Sequence, residues 1–567
     1  MPSLDVSELN IVITVLGLFT IAYAFLSVKI KQVWYLGEAL PAVLIGVVLG
    51  PIAANFLNSE RWGSAEEGQQ SLITLGVMRV MIGLQLVISG FQLPAKYALL
   101  RYKELLICLL PIMTMMWLCT TACVLATIPK VTLLAALVIG SCVTPTDPIL
   151  SQAIAKGPFA DKYVPRDLRE IISAEACAND GFGFPFLMLA VYLMRHSELP
   201  ESAIGESAIE GAHKRSEEIG RLGGGVGLAL KNWGLEAWLY IVLLAVVYGA
   251  FCGFAGGKVV KFCLRRKWID SESYLLFPVA LGLFLVGTCG CVGLDDLLAC
   301  AVAGFALNWD GQYLAETERR HDEVNSCVDV LLNFGGFMYI GTIMPWSEFH
   351  QPDVTGITIL RLFGLGALVM AFRRIPAILM TYKLMPNVVK NIKEAFFMGY
   401  FGPIGAGAVF YLEHVRVHLF HPLGEGGDEG EENLIRALSA SVYWLVLFSI
   451  VFHGLSIPAL NLIYQFYGVE PISEDPVEIK RKSIHEPIPA NAVNGDLDTF
   501  VAYNRFSRPV FDPNVQFALK SPKVDSFDQE RGFNNNNTTG LGMQRQGEKF
   551  QLGRVQRNST QVPGWVP

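Results

Sequence analysis

Residues 141–150 read SCVTPTDPIL, with Pro145 and Pro148 bracketing Thr146 and Asp147 inside a long apolar run. Two prolines three residues apart cannot both sit in an unbroken helix, because each lacks an N–H and clashes with the preceding turn. The chain must break here. Non-helical backbone at membrane depth is tolerated only where it is buried in protein or lines a cavity. A simple proline kink, closed by Ser and Thr hydroxyls, would leave Asp147 and the second proline unexplained. Further along, residues 399–411 read GYFGPIGAGAVFY, crowding Gly402, Pro403, Gly405 and Gly407 into six positions. A helix-packing face of small residues accounts for Gly405 and Gly407 but not for the Gly-Pro pair. Interrupted apolar segments in the two halves of a chain point to an inverted-repeat transporter whose ion site lies where the breaks meet.

Composition supports placing both breaks in a membrane. Of 567 residues, 52% are hydrophobic and 17% charged, and the mean hydropathy is +0.41, well above what a soluble core requires. The start, MPSLDVSELN, has two acids and no basic segment before its first apolar run, so the first span is expected to stay as a signal anchor. The 11 cysteines lie mostly in apolar runs and form no CxxC pair, which reads as small buried hydrophobes rather than disulfides or a metal site. The net charge of -7 comes from acids gathered in loops and tail and identifies no partner. No cofactor, no nucleic acid and no enzymatic chemistry is implied.

Runs of about 20 apolar residues give about 13 candidate spans, near residues 9–28, 33–57, 71–92, 104–128, 131–155, 171–194, 237–260, 272–292, 294–307, 328–345, 355–382, 394–415 and 434–465. Lysines and arginines collect in alternate connectors: Lys29 and Lys31; Lys96, Arg101 and Lys103; Lys156 to Arg169; Lys258 to Lys267; Arg319 and Arg320; Lys383 to Lys393. Basic connectors stay in the cytoplasm, so an odd number of spans with the N-terminus outside satisfies the pattern. The connector 196–236 is too long for its charges to count. After residue 466 the chain turns polar, and the tail 467–567, with its run NNNNTTG, is expected to be largely disordered and cytoplasmic. Its sequons at Asn536, Asn537 and Asn558 would then stay unmodified.

The sixth span, IISAEACANDGFGFPFLMLA (171–190), carries Glu175, Asn179 and Asp180. Charges at that depth mark function. Glu175 and Asn179, four apart, share a helix face, and Asp180 lies about 100° further round. Two carboxylates buried together oppose each other's ionisation, so the low-cost arrangement gives one a permanent cation and leaves the other to titrate. Arg373 and Arg374, within the eleventh span, supply the cation, unless they snorkel to the surface. A guanidinium cannot deprotonate to escape burial. Glu175 is the expected structural partner and Asp180 the titrating group. Proton and small cation would compete for that one charge, and competition under alternating access is exchange. Oxygen ligands from Asp180, Asp147, Thr146 and broken backbone suit a hard monovalent ion, and the His or Cys set of a zinc site is missing from this stretch.

At these residues the chain resembles the monovalent cation/proton antiporter superfamily, most closely the fungal plasma-membrane sodium (potassium)/proton antiporters. The resemblance rests on TDPILSQ, FADKYVPRDLREIISAEACANDGFGFPFL, GLDDLLACAVAGFALNWDG, DVLLNFGGFMYIGTIMPWS, FRRIPAIL, EAFFMGYFGPIGAGAVF and IVFHGLSIPA, spread in family order over residues 1–466. It implies an all-α fold with two crossed, unwound helices, in a homodimer whose core moves against a dimerisation domain. It also implies export of Na⁺, with K⁺ and Li⁺, in exchange for H⁺, serving salt tolerance and pH and potassium homeostasis at the plasma membrane. Asp180 becomes the ion- and proton-binding carboxylate and Asn179 its neighbour. Asp147 and Thr146 belong to the broken helix, and Glu175 pairs with an arginine of FRRIP, Arg373 being favoured over Arg374. Asp295 and Asp296, in GLDDLL, match a further acidic pair tied to transport, although acids at a helix N-terminus explain them nearly as well. Ala176 stands where relatives commonly have Ser, removing a hydroxyl on the face of Asp180, and the tail is short for the fungal branch. The competing readings are a cation symporter or channel, of which a channel would need a continuous pore whereas one titratable carboxylate per core suits exchange, and a multi-span receptor or sensor, which does not require two broken spans.

Overall fold

The computed structural model describes residues 7–62, 68–196, 223–320, 324–420, 429–480, 492–494 and 499–506. Each of the 13 expected intervals contains helix, but the number of spans is not fixed by this. In chain order the principal helices are α1 (Glu8–Val28), α2 (Ala39–Leu49), α3 (Gln69–Phe91), α4 (Tyr102–Thr127), α5 (Leu133–Cys142), α6 (Pro148–Lys156), α7 (Arg166–Arg195) and α8 (Gly225–Arg266). There follow α9 (Ser271–Val292), α10 (Asp296–Leu307), α11 (Val324–Thr342), α12 (Ile359–Leu384), α13 (Ile392–Tyr400), α14 (Ala406–His414) and α15 (Glu429–Phe466). Among the described residues eight helices are long and apolar enough to cross a membrane: α1, α3, α4, α7, α8, α9, α12 and α15. Helices satisfy their own backbone groups, which hydrocarbon cannot do.

Two intervals differ from the sequence reading. The second, expected over 33–57, holds helix only over Ala39–Leu49, because Gly50 turns extended and Pro51 cannot continue the ladder. The seventh begins a dozen residues early: 225–236, read as connector, is the first part of α8, whose stretch Trp233–Leu243 is wound as π-helix.

Small residues set how closely these helices approach. A Cβ on Gly46 of α2 would strike the backbone of Met338 on α11, and one on Gly341 of α11 that of Val43. Gly249, Gly253 and Gly257, spaced by four along α8, lie in the same way on Ala299, Ala303 and Leu307 of α10, and Gly90 of α3 meets Gly304 of α10. In a membrane, where lipid tails are as apolar as leucine, such close backbone contact is what holds helices together. The outward faces are apolar as lipid requires: Leu9, Ile13, Leu18 and Phe25 of α1 and Val247, Phe251 and Val259 of α8 are exposed.

The tail is structured in its first part. Strands β1 (Val477–Lys480), β2 (Ala492–Asn494) and β3 (Thr499–Ala502) form an antiparallel sheet in the order β1-β3-β2. Beyond β3, Asn504 donates from Nδ2 to the carbonyls of Asp161 (3.1 Å) and Val164 (3.0 Å). Its own carbonyl accepts from the fully buried guanidinium of Arg169, at the start of α7. Phe506 is buried beneath Lys156 and Arg169. Polar composition hides this order, because the partners that fix it lie some 340 residues away. Residues 507–567 lie outside the described residues, and with them the rest of the expectation for the tail, sequons included.

Two glycines give opposite expectations. Gly253→Ala pushes a methyl into the Ala303 backbone, an overpacking that costs about 1–3 kcal/mol, and should lower the thermal midpoint of the purified protein. Gly287→Ala, on α9 with open space around it, should leave the midpoint unchanged or raise it, through a helix-propensity gain of about 0.5–1 kcal/mol.

Candidate functional site

Both predicted breaks are present, and they meet. Helix α5 stops at Cys142, the chain runs unwound through Thr144–Thr146, and α6 starts with Asp147 as N-cap and Pro148 in its first turn, where a missing N–H costs nothing. Helix α13 stops at Tyr400, and α14 starts at Ala406 after the unwound Phe401–Gly405. The two gaps are joined directly: the N–H of Asp147 donates to the Pro403 carbonyl at 2.9 Å.

A broken helix exposes N–H groups at one new end and carbonyls at the other. Asp147 serves both N-terminal ends. Its Oδ1 accepts from Leu150 N in α6 (2.9 Å) and its Oδ2 from Ala406 N, the first residue of α14 (2.7 Å). Gly405 leaves room for that carboxylate, for a Cβ there would collide with it. The C-terminal ends face the arginines. Arg373 donates from Nη2 to the carbonyls of Thr144 (3.4 Å) and Pro145 (3.3 Å), past the end of α5. Arg374 donates from Nε to the Met398 carbonyl in the last turn of α13 (2.9 Å). The unwound segment of α13 and α14 has a further tie, Ile404 N to Ser449 Oγ of α15 at 2.8 Å.

On α7 the three polar side chains go to three different places. Glu175, fully buried, takes both ends of the Arg374 fork, Oε1 from Nη1 at 2.6 Å and Oε2 from Nη2 at 2.7 Å. The structural partner is therefore Arg374, not Arg373 as the sequence reading favoured. Pro376 starts a new helical segment, so α12 is interrupted at these two residues, and their side chains leave in different directions. Neither snorkels; both are buried.

Asn179 closes a ring with Thr146: its Nδ2 donates to Thr146 Oγ1 (2.8 Å) and its Oδ1 accepts from Thr146 N (3.2 Å). The backbone N–H can only donate, which fixes the amide's orientation. Asp180, next along, has no exposed surface, and among the described residues neither of its carboxylate oxygens has a hydrogen-bond partner. It points at Gly407 in the first turn of α14, where a Cβ would come within 2.5 Å of Oδ1. Its carbonyl accepts from Tyr411 Oη (2.5 Å), which also reaches the Gly181 carbonyl (3.1 Å). An ionised carboxylate buried without a partner is costly. A proton or a cation removes that cost, and the two exclude each other.

Asp295 and Asp296 occupy the N-terminus of α10. Asp295 is its N-cap, Oδ1 accepting from Leu298 N at 2.9 Å, and its Oδ2 is buried without a partner among the described residues. Asp296 takes the guanidinium of Arg79. This turn packs on α7 beside the ion-site candidate, since a Cβ on Gly181 would overlap Leu298. The sequence reading missed Arg79, although a lone arginine inside the third apolar run carries the same signal as Arg373 and Arg374. It also missed Tyr411 and Ser449, for which no sequence signal distinguishes a site role from helix packing. A cavity of about 480 Å³, lined in part by Glu38, Gln85, Lys156, Asp329 and His453, runs along α6 as far as Ile149, two residues beyond Asp147.

The chain matches the model of the family described as sodium/hydrogen exchanger, transmembrane, over residues 15–462. It is 32% identical over 468 residues to Na⁺/H⁺ antiporter 2 of Zygosaccharomyces rouxii, covering 81% of this chain and 54% of that one. It is 32% identical to the Na⁺/H⁺ antiporter of Saccharomyces cerevisiae, over 81% of this chain and 44% of that one. An Na⁺/H⁺ antiporter of Schizosaccharomyces pombe is 28% identical, with 81% and 91% covered. The chain thus spans about half the length of the first two relatives. Among solved structures, the sodium proton antiporter MjNhaP1 of Methanocaldococcus jannaschii at pH 8 superposes with a TM-score of 0.53 at 14% identity, over 79% of this chain and all of that one. That likeness establishes the fold.

The two arginines should behave differently when removed. Arg374→Gln strands Glu175 as an unpaired buried charge, at about 3–5 kcal/mol, and should abolish accumulation of folded, monodisperse protein. Arg373→Gln strands no carboxylate and should still give a folded peak by size exclusion with a smaller drop in thermal midpoint.

Proposed function

The chain belongs to the sodium/hydrogen exchanger family, and on that premise we propose that it exchanges Na⁺ for H⁺ across a membrane, with Asp180 as the carboxylate that both ions share. It is a multi-pass membrane protein. The observation that carries the reading is the isolation of Asp180: among the described residues every other charged group at the crossing of the broken helices has a partner, and this one has none. Asp147 is a weaker candidate for the exchange site, because both its oxygens are already accepting from helix N-termini. Bound cation would draw its remaining ligands from Thr146, held by Asn179, and from the unwound backbone. One unpartnered carboxylate favours one-for-one, electroneutral exchange. The elements bearing these groups, α5, α6, α7, α13 and α14, would move together against the glycine-packed helices α2, α3, α8, α10 and α11.

The wider setting belongs to the same proposal. K⁺ and Li⁺ are further substrates, since ligand chemistry is alike for all three and cavity size discriminates. The protein acts as a homodimer at the plasma membrane, with its N-terminus outside and its tail and basic connectors in the cytoplasm. Its task is export of sodium for salt tolerance and for pH and potassium balance.

The test uses purified full-length protein in vesicles acidified inside, with an enclosed pH dye. Adding Na⁺ or K⁺ outside should alkalinise the lumen for wild type and not for Asp180→Asn; a variant that still exchanges at the wild-type rate removes Asp180 from the role. Competition also fixes a pH dependence. Protons and Na⁺ claim the same charge, so the apparent KM for Na⁺ should rise as pH falls, approaching about tenfold per pH unit once the carboxylate is mostly protonated. An apparent KM that stays flat with pH would mean that the two ions use separate sites.

A further inference from the structure

A second cavity, of about 290 Å³, lies away from the ion-site candidate, where the end of α8 meets the end of α10. Three lysines converge on it: Lys258 and Lys261 from the last turns of α8, and Lys96 from the turn that follows α3. One acid lines it, Asp310, and that carboxylate is taken by Lys261. Lys96 and Lys258 have no carboxylate within 4 Å among the described residues, and Lys258 lies over the Phe254 ring at 5.2 Å. Lys96 sits at the start of a short helix, where its backbone adopts the left-handed conformation (φ 55°). For a residue with a side chain that conformation is uncommon.

The remaining walls are apolar or amphipathic. Phe254 and Trp309 contribute, and Phe251 and Phe262 continue the exposed aromatic face of α8 beside the cavity. The site therefore presents ammonium groups with no carboxylate partner among the described residues, together with the exposed aromatic residues Phe251, Phe254 and Phe262 of α8. A free phosphate or a soluble nucleotide would use only the first feature. An amphiphile with an anionic headgroup uses both, and a basic pocket between membrane helices on the cytoplasmic side is the expected form of such a site.

We infer that this cavity binds the phosphate-bearing headgroup of an anionic phospholipid, with Lys96 and Lys258 on the phosphate and the acyl chains along the Phe251–Phe254 face of α8. The headgroup ties together the ends of α3, α8 and α10. Helix α8 packs on α10 through Gly249, Gly253 and Gly257, and the opposite end of α10 carries Asp295 and Asp296 beside Gly181. A bound lipid would thus brace the helices against which the ion-site elements are proposed to move. Its placement in the cytoplasmic leaflet rests on the orientation proposed above; the pocket does not.

The test is made on the delipidated full chain in neutral detergent, titrated with phosphatidylserine, phosphatidylcholine or inorganic phosphate, and read by native mass spectrometry and by thermal midpoint. Phosphatidylserine should be retained and should raise the midpoint, and the other two should not. Lys96→Gln/Lys258→Gln should weaken phosphatidylserine binding about thirtyfold, at about 1 kcal/mol per lysine near an anionic surface. Lys96→Arg/Lys258→Arg should retain it, and so should Lys383→Gln/Lys393→Gln, which removes the same charge at exposed positions outside the cavity. Asp310→Asn, by freeing Lys261, should tighten binding, an effect that does not depend on the glutamine variant folding. Equal loss in the Lys383/Lys393 control, equal retention of phosphatidylcholine, or equal stabilisation by inorganic phosphate would each overturn the inference. None of these readouts requires exchange, so failure of lipid binding and failure of the antiporter reading are separable.

Discussion

Four helix ends are exposed when two helices break inside a membrane, and each must find an opposite charge. Asp147 bridges the N-termini of α6 and α14, Arg373 faces the carbonyls beyond α5, and Arg374 faces the last turn of α13. Each partial charge of about half a unit would be expensive in hydrocarbon without that compensation. The crossing therefore exists because one carboxylate and two guanidinium groups converge on it, and the unwound segments, the close approach of Gly405 and the direct Asp147–Pro403 hydrogen bond all follow from it.

The same constraint separates the roles of the acids. Arg374 cannot lose its proton, so it needs a permanent anion, and Glu175 is committed to it through a two-pronged pair. Asp147 is committed to backbone N–H groups. With those cations and donors used up, Asp180 has no partner among the described residues and faces the space that Gly407 opens beside it. A carboxylate that is left unpartnered among the described residues is one that a mobile ion can complete, and this links the packing of α7 against α14 to the exchange proposed for the chain.

Legibility varied with the range of the interaction involved. Pro145 and Pro148 announced their break because a proline's effect on a helix is covalent and local, and Gly402 and Pro403 did the same. Glu175, Asn179 and Asp180 announced themselves because any charge in an apolar run is anomalous whatever its surroundings. Arg79 gave that same signal and was passed over. The docking of Asn504 and Phe506 gave none: an asparagine and a phenylalanine in a polar tail look like any others until Arg169 and Asp161 are beside them.

Residue order alone was enough to establish a many-span helical protein, its two interruptions and the helix that bears its ionisable groups, since these depend on hydropathy, backbone chemistry and spacing within a few turns. It could not decide between Arg373 and Arg374, because adjacent residues at a helix interruption leave in different directions and only the placement of α7 and α13 shows which one meets Glu175. Nor could it say which carboxylate remains unpaired. That is a property of what every neighbouring element brings within hydrogen-bond distance, and those neighbours lie hundreds of residues apart along the chain.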